Sequence, residues 1–115
     1  MSKSIKARLQ HIEQSSEIAL AYIKGFTKAE FVEDVGLQDK VIRRLAIIGE
    51  AVKGLSQDFR KKHPKIAWKD IAGMRDVLVH EYYDVNTNLV WRVVKIQVPI
   101  LKKYVSETLA NFSED

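Results

Sequence analysis

Between residues 73 and 86 the chain reads GMRDVLVHEYYDVN, which gathers Arg75, His80, Tyr82 and Tyr83 where an apolar helical pattern runs out. Arginine offers a planar fork of donors suited to a phosphate and keeps its charge near neutral pH. Histidine exchanges a proton near neutrality, so it can take one from a hydroxyl or give one to a departing oxygen. Together they suit phosphodiester chemistry. In RNA the neighbouring 2'-hydroxyl is the nucleophile, and a protein then needs only to remove its proton, stabilise the phosphorane charge and protonate the leaving group. One histidine per chain cannot readily perform both transfers, whereas a dimer supplies two histidines and two arginines.

The element that positions these groups is a helix. In a regular helix Arg75 and Tyr82 share a face, Asp76 and His80 are four apart and face each other, and His80 lies about 140° around from Arg75. Arginine and histidine therefore converge only if the helix loosens around His80, or if a twofold axis brings the stretch of one chain against that of another. A purely structural alternative pairs Arg75 with Asp76 or Asp70 and rests His80 on the last helix carbonyls.

Other residues are candidates for supporting roles. Glu50, a polar group on the central helix, needs a partner, and Arg75, an interface group, Arg43 and Lys53 are the choices. The run RKKHPK holds Arg60, Lys61, Lys62 and Lys65, in which Lys61 and Lys62 are candidate RNA contacts although such a run is more often a solvated loop. Tyr83 is a candidate base-stacking surface. His11 and His63 have no companions at metal-ligand spacing and read as surface residues. With no cysteine, no glycine-rich phosphate loop, no metal-binding carboxylate cluster and no Ser-His-Asp arrangement, neither a metal nor a cofactor is expected.

The chain has 115 residues, 46% hydrophobic and 30% charged, with five glycines and two prolines. These values predict one folded domain spanning 1–115. The net charge is +4, a mild bias toward polyanions. No signal-peptide pattern and no apolar run of membrane-spanning length is present, so a soluble cytoplasmic protein is expected. Ile5, Leu9, Ile12, Ala19 and Ile23 keep a four-three rhythm, broken by Ser16, that marks a first helix ending near Gly25. Thr27 and Glu30 form a capping-box pattern for a short helix to about Asp34, which Gly36 stops. Val41, Leu45, Ile48, Val52, Leu55 and Phe59 predict a central helix over five turns. Its opposite row, Arg43, Ile47, Glu50 and Gly54, together with the helix carrying Arg75, is the face expected to meet a second subunit. Gly49 and Gly54 suggest close approach of another backbone. A shorter helix starts near Trp68, and Asp84, Asn86 or Thr87 caps a last helix kinked at Pro99. Trp68 and Trp91 are expected to anchor these two helices in the core. The fold class is all-α: an antiparallel bundle of four main helices plus a short one.

Read together, RRLAIIGEAVKGL, HPKIAWKDIAGMRDVLVHEYYDVNTNLVW and VPILKKYV resemble the HepT-like family of HEPN domains, toxins of bacterial and archaeal toxin–antitoxin pairs. The resemblance runs from the first helix to about residue 109. Its specific elements are the Gly-Glu of the central helix, the W-x-x-I-x-G-M-R entry and the Arg-x4-His-x-Tyr motif formed here by Arg75, His80 and Tyr82. It implies a homodimeric, metal-independent endoribonuclease with Arg75 and His80 as catalytic residues in a cleft at the subunit interface. It also implies a cognate minimal nucleotidyltransferase antitoxin that transfers AMP to Tyr82. Many relatives carry asparagine after the motif arginine where this chain has Asp76, a residue that can orient Arg75 or His80. The alternative is a catalytically silent HEPN module that binds the nucleotidyltransferase.

Overall fold

The computed structural model describes residues 4–80 and 86–112, with the backbone alone for Val79 and His80. Ser4 caps α1, Ile5–Ile23, by accepting from the Ala7 amide. The helix ends before Gly25, whose φ of +85° is the left-handed geometry that glycine adopts without a Cβ penalty. Leu9, Ile12, Ser16 and Ala19 form a fully buried stripe. Ser16 thus keeps the rhythm by packing, although its hydroxyl finds no partner there.

The Thr27–Glu30 capping box forms as expected and opens α2, Lys28–Val32. That helix is shorter than the sequence suggested. Asp34 caps the following helix by accepting from the Leu37 amide, so Gly36 lies inside α3, Val35–Lys53, instead of stopping α2. The central helix is likewise shorter than five turns to Phe59. Gly54 is its C-cap, and Ser56 accepts from the Phe59 amide to start a separate α4, Gln57–Lys62. Leu55 and Phe59 remain buried across the break, which is why the apolar rhythm conceals it.

The next helix, α5, runs Trp68–His80. Asn86 then caps α6, Thr87–Arg92, by accepting from the Leu89 amide. The break expected at Pro99 takes the form of a π-helical turn, Val93–Gln97, in which the Val98 amide reaches back to the Val93 carbonyl. The wider turn leads into α7, Val98–Ala110, with proline in the first turn, where its missing donor costs little.

The described residues are all helical or connecting, with no strand. In the bundle, α3 packs on α1 and on α5, while α7 packs on α1. Leu9, Ile12, Val41, Leu45, Ile48, Val52, Val94 and Val105 fill the space between them with essentially no exposure, each contributing about 1.5–3 kcal/mol by burial. Among the described residues four main helical segments form, as expected: α1, α3, α5 and the run of α6, the π turn and α7; α2 and α4 are short helices where one was expected. Trp68 is buried and donates to the His63 carbonyl at 2.8 Å, and Trp91 packs on Phe31. His63, expected at the surface, is half-buried against Phe59 and hydrogen-bonded to the Tyr104 hydroxyl at 2.7 Å. No described helix is long and apolar enough to cross a membrane.

Candidate functional site

The crossing of α3 and α5 sets the site. At their closest point Gly49 faces Arg75, and a Cβ added to the glycine would stand 3.2 Å from the Arg75 Cα and nearer still to its Cβ. The close backbone approach suggested by Gly49 is thus made within one chain, by α5. It aims the Arg75 side chain along the surface of α3, where Nε lies 3.0 Å from a Glu50 oxygen and Nη1 donates to Asp76 Oδ1 at 3.1 Å. The Arg75 side chain retains 25% of its exposure. Of its five donors, Nη2 has no partner among the described residues.

Of the partners open to Glu50, the structure selects Arg75. The alternative pairing of Arg75 with Asp76 also forms, so the same guanidinium carries both. Asp76 Oδ1 accepts a second charged bond, from Lys53 Nζ at 3.2 Å. The Lys53 bond first, and that of Arg75 second, hold the Asp76 carboxyl below the usual carboxylate range. The cluster is a chain of alternating charge, Glu50–Arg75–Asp76–Lys53, whose formal charges cancel. Sequence reading considered Lys53 only as a partner of Glu50; its bond to Asp76 depends on how α5 crosses α3.

An open groove of about 380 Å³ runs beside this chain, lined by Asp39, Ile42, Arg43, Ile47, Glu50 and Arg75 among others. Three members of the expected interface row therefore share one surface with the arginine. The fourth, Gly54, faces the Arg8 guanidinium of the same chain, a flexible side chain and not the backbone that the glycine suggested. Lys61 and Lys62 are exposed on α4, and neither bonds to Glu50, Arg75 or Asp76. Arg60, from the same basic run, turns inward and donates to the Val52 and Lys53 carbonyls at 2.8 and 3.2 Å, closing the end of α3. The backbone of α5 is helical to His80, whose side chain, like Tyr82 and Tyr83, lies outside the described residues.

A second groove, of about 530 Å³, is lined by Leu45, Ile48, Ile71, Met74, Leu89 and Ile100 among others. Leu89 and Ile100, on its wall, are 46% and 57% exposed. Among the described residues no group of His, Asp or Glu is placed to hold a metal ion.

Comparison with known proteins places the chain in a family. A family model described as "Ribonuclease HepT-like" matches residues 12–108. A candidate RNase of Caldanaerobacter subterraneus subsp. tengcongensis is 45% identical over 107 residues, covering 93% of this chain and 96% of the relative. A candidate ribonuclease HepT of Thermococcus cleftensis is 38% identical over 102 residues, 89% of this chain and 93% of that protein. A Methanocaldococcus jannaschii protein, named as a gamma-glutamylcyclotransferase and candidate RNase, is 41% identical over all 115 residues, which span 52% of its length. No solved structure matches the chain.

Proposed function

The chain belongs to the HepT-like family of ribonucleases, and on that premise we propose that residues 1–115 act as one HEPN unit. It is a cytoplasmic, metal-independent endoribonuclease toxin that cuts RNA as a homodimer. The observation that carries the reading is Arg75, braced by Glu50 at the edge of an open groove with Nη2 unclaimed among the described residues. A guanidinium in that state is equipped to take a phosphate oxygen.

In this reading one His80 removes the proton of the ribose 2'-hydroxyl, and the oxygen attacks the adjacent phosphorus. Arg75 holds the charge of the phosphorane. The second His80 protonates the 5'-oxygen as its bond to phosphorus breaks. The products are a 2',3'-cyclic phosphate and a 5'-hydroxyl, and no water is consumed. The backbone of α5 is helical from Arg75 through His80, which puts the two positions about 140° apart around the helix axis and supports the twofold arrangement. Lys61 and Lys62 on α4 supply positive charge for the RNA backbone, and Tyr83 a stacking surface. The apolar side chains exposed beside α5 support association with further protein, of which a minimal nucleotidyltransferase antitoxin that attaches AMP to Tyr82 is the proposed case.

The test is the chemistry of the cut ends. RNA incubated with the protein in chelator is expected to carry 2',3'-cyclic phosphate and 5'-hydroxyl termini, and the all-deoxy strand to stay intact. Cutting of DNA, or 3'-hydroxyl products, would overturn the mechanism. A second reading, a silent module that only binds the nucleotidyltransferase, is favoured by one observation, the Asp76 carboxylate already bonded to Arg75. RNA left uncut under all these conditions would select it.

A further inference from the structure

Lys53 has no role in the reading above, yet it is bonded to the same oxygen as the proposed phosphate-binding arginine. Asp76 Oδ1 lies 3.2 Å from Lys53 Nζ and 3.1 Å from Arg75 Nη1. A carboxylate facing a lone guanidinium competes for the donors that a phosphate would use, and its charge repels the phosphate. Sharing the oxygen with an ammonium divides that attraction and offsets that repulsion.

We infer that Lys53 is a positioning residue of the site: by sharing Asp76 with Arg75 Nη1 it leaves Nη2 of the guanidinium open to phosphate. The inference rests on Arg75 as the phosphate ligand but not on which group moves the protons. Two further observations fit it. Lys53 is the last residue of α3, and its carbonyl is held by Arg60 from α4 at 3.2 Å, so the stem of the lysine starts from an anchored point. Both ends of the Lys53–Asp76 pair are about half exposed, at 52% and 46%, so its contribution to folding is small; of the two partners of Asp76, Arg75 lines the groove.

A double-mutant cycle tests this. The variants are Lys53→Met, which keeps the stem and removes the charge, Asp76→Asn, and the two combined, with Lys53→Arg as the conservative rescue. The readout is the affinity of each full-length protein for a non-cleavable 2'-O-methyl RNA in chelator by fluorescence anisotropy, together with KM and kcat on the all-ribose strand. Lys53→Met is expected to weaken binding and raise KM by roughly tenfold with Asp76 present, but by about twofold or less in the Asp76→Asn background, with kcat little changed. Lys53→Arg should restore most of the loss. Circular dichroism confirms that each variant folds. An equal loss in both backgrounds would make Lys53 an ordinary surface cation and overturn the inference, as would no loss in either. Failure of the ribonuclease reading shows separately, as RNA that binds but is not cut.

Discussion

Gly49 and Arg75 occupy one contact point: the Arg75 Cβ lies where a Cβ on the α3 glycine would be. The overlapping atom is the arginine's Cβ, with its Cα 3.2 Å away, and a Cβ cannot move unless the α5 backbone moves. Gly49→Ala is therefore expected to lower stability, since overpacking costs about 1–3 kcal/mol against a gain of about 1 kcal/mol in helix propensity. It should also displace Arg75 and reduce RNA cleavage roughly ten- to hundredfold. Gly54→Ala is the matched control. There the added methyl meets the far end of the Arg8 side chain, which can swing aside, so stability should stay within about 0.5 kcal/mol of wild type. Thermal unfolding and cleavage rates of the two variants decide this, and equal behaviour would contradict it.

The charge chain gives a pH signature. The Asp76 carboxyl is held below the usual range by Lys53 and then Arg75, so its folded pKa lies under its unfolded one. A group shifted that way contributes stability at neutral pH and loses it as pH falls through the folded value. Because the pair is half exposed, the melting temperatures of wild type and Asp76→Asn should differ by a small constant amount from pH 7 to about 5, and converge as pH drops below about 4. A gap that closes between pH 6 and 8 instead would implicate a different group.

The shared site predicts how mixed dimers behave. If each cleavage needs both His80 side chains, a heterodimer of wild type and His80→Ala, isolated through two different tags, should be nearly inactive. Independent sites would leave it about half as active as wild type. Half activity, or a protein that is active while monomeric by light scattering, would contradict the twofold arrangement.

Control through Tyr82 predicts a covalent mark. Incubation with the cognate nucleotidyltransferase and ATP should raise the intact mass by AMP, with peptide mapping placing it at Tyr82, and cleavage should fall in proportion. An added nucleotide brings bulk and negative charge to the place proposed for substrate phosphate. Modified protein that cuts at the unmodified rate would defeat this mode of regulation without touching the ribonuclease assignment.

Features set by neighbours in sequence were legible before the structure. The Thr27–Glu30 box and the Asn86 cap are decided within three residues, and the buried stripes of α1 and α3 follow from helical period alone. What escaped depends on how elements meet. Leu55 and Phe59 continue the rhythm of α3 through a break because both ends of the break face the same core. Arg60 reads as part of a basic patch, yet only the packing of α4 against the end of α3 reveals that its guanidinium caps carbonyls. The same holds at the site. Arg75 stood out by type and spacing, but the Lys53–Asp76 bond appears only once α5 is laid across Gly49. The family resemblance read from the motifs agrees with the family match over residues 12–108.

If Arg75 binds the phosphate and His80 moves the protons, the two roles separate in a single-turnover experiment. The cleavage rate of one RNA, in chelator, is measured with wild type and with His80→Ala at equal folded concentration. The expected result is a loss of at least about a hundredfold with RNA affinity retained, since Arg75 and its partners on α3 are untouched. Cleavage by His80→Ala at the wild-type rate would contradict this division of roles.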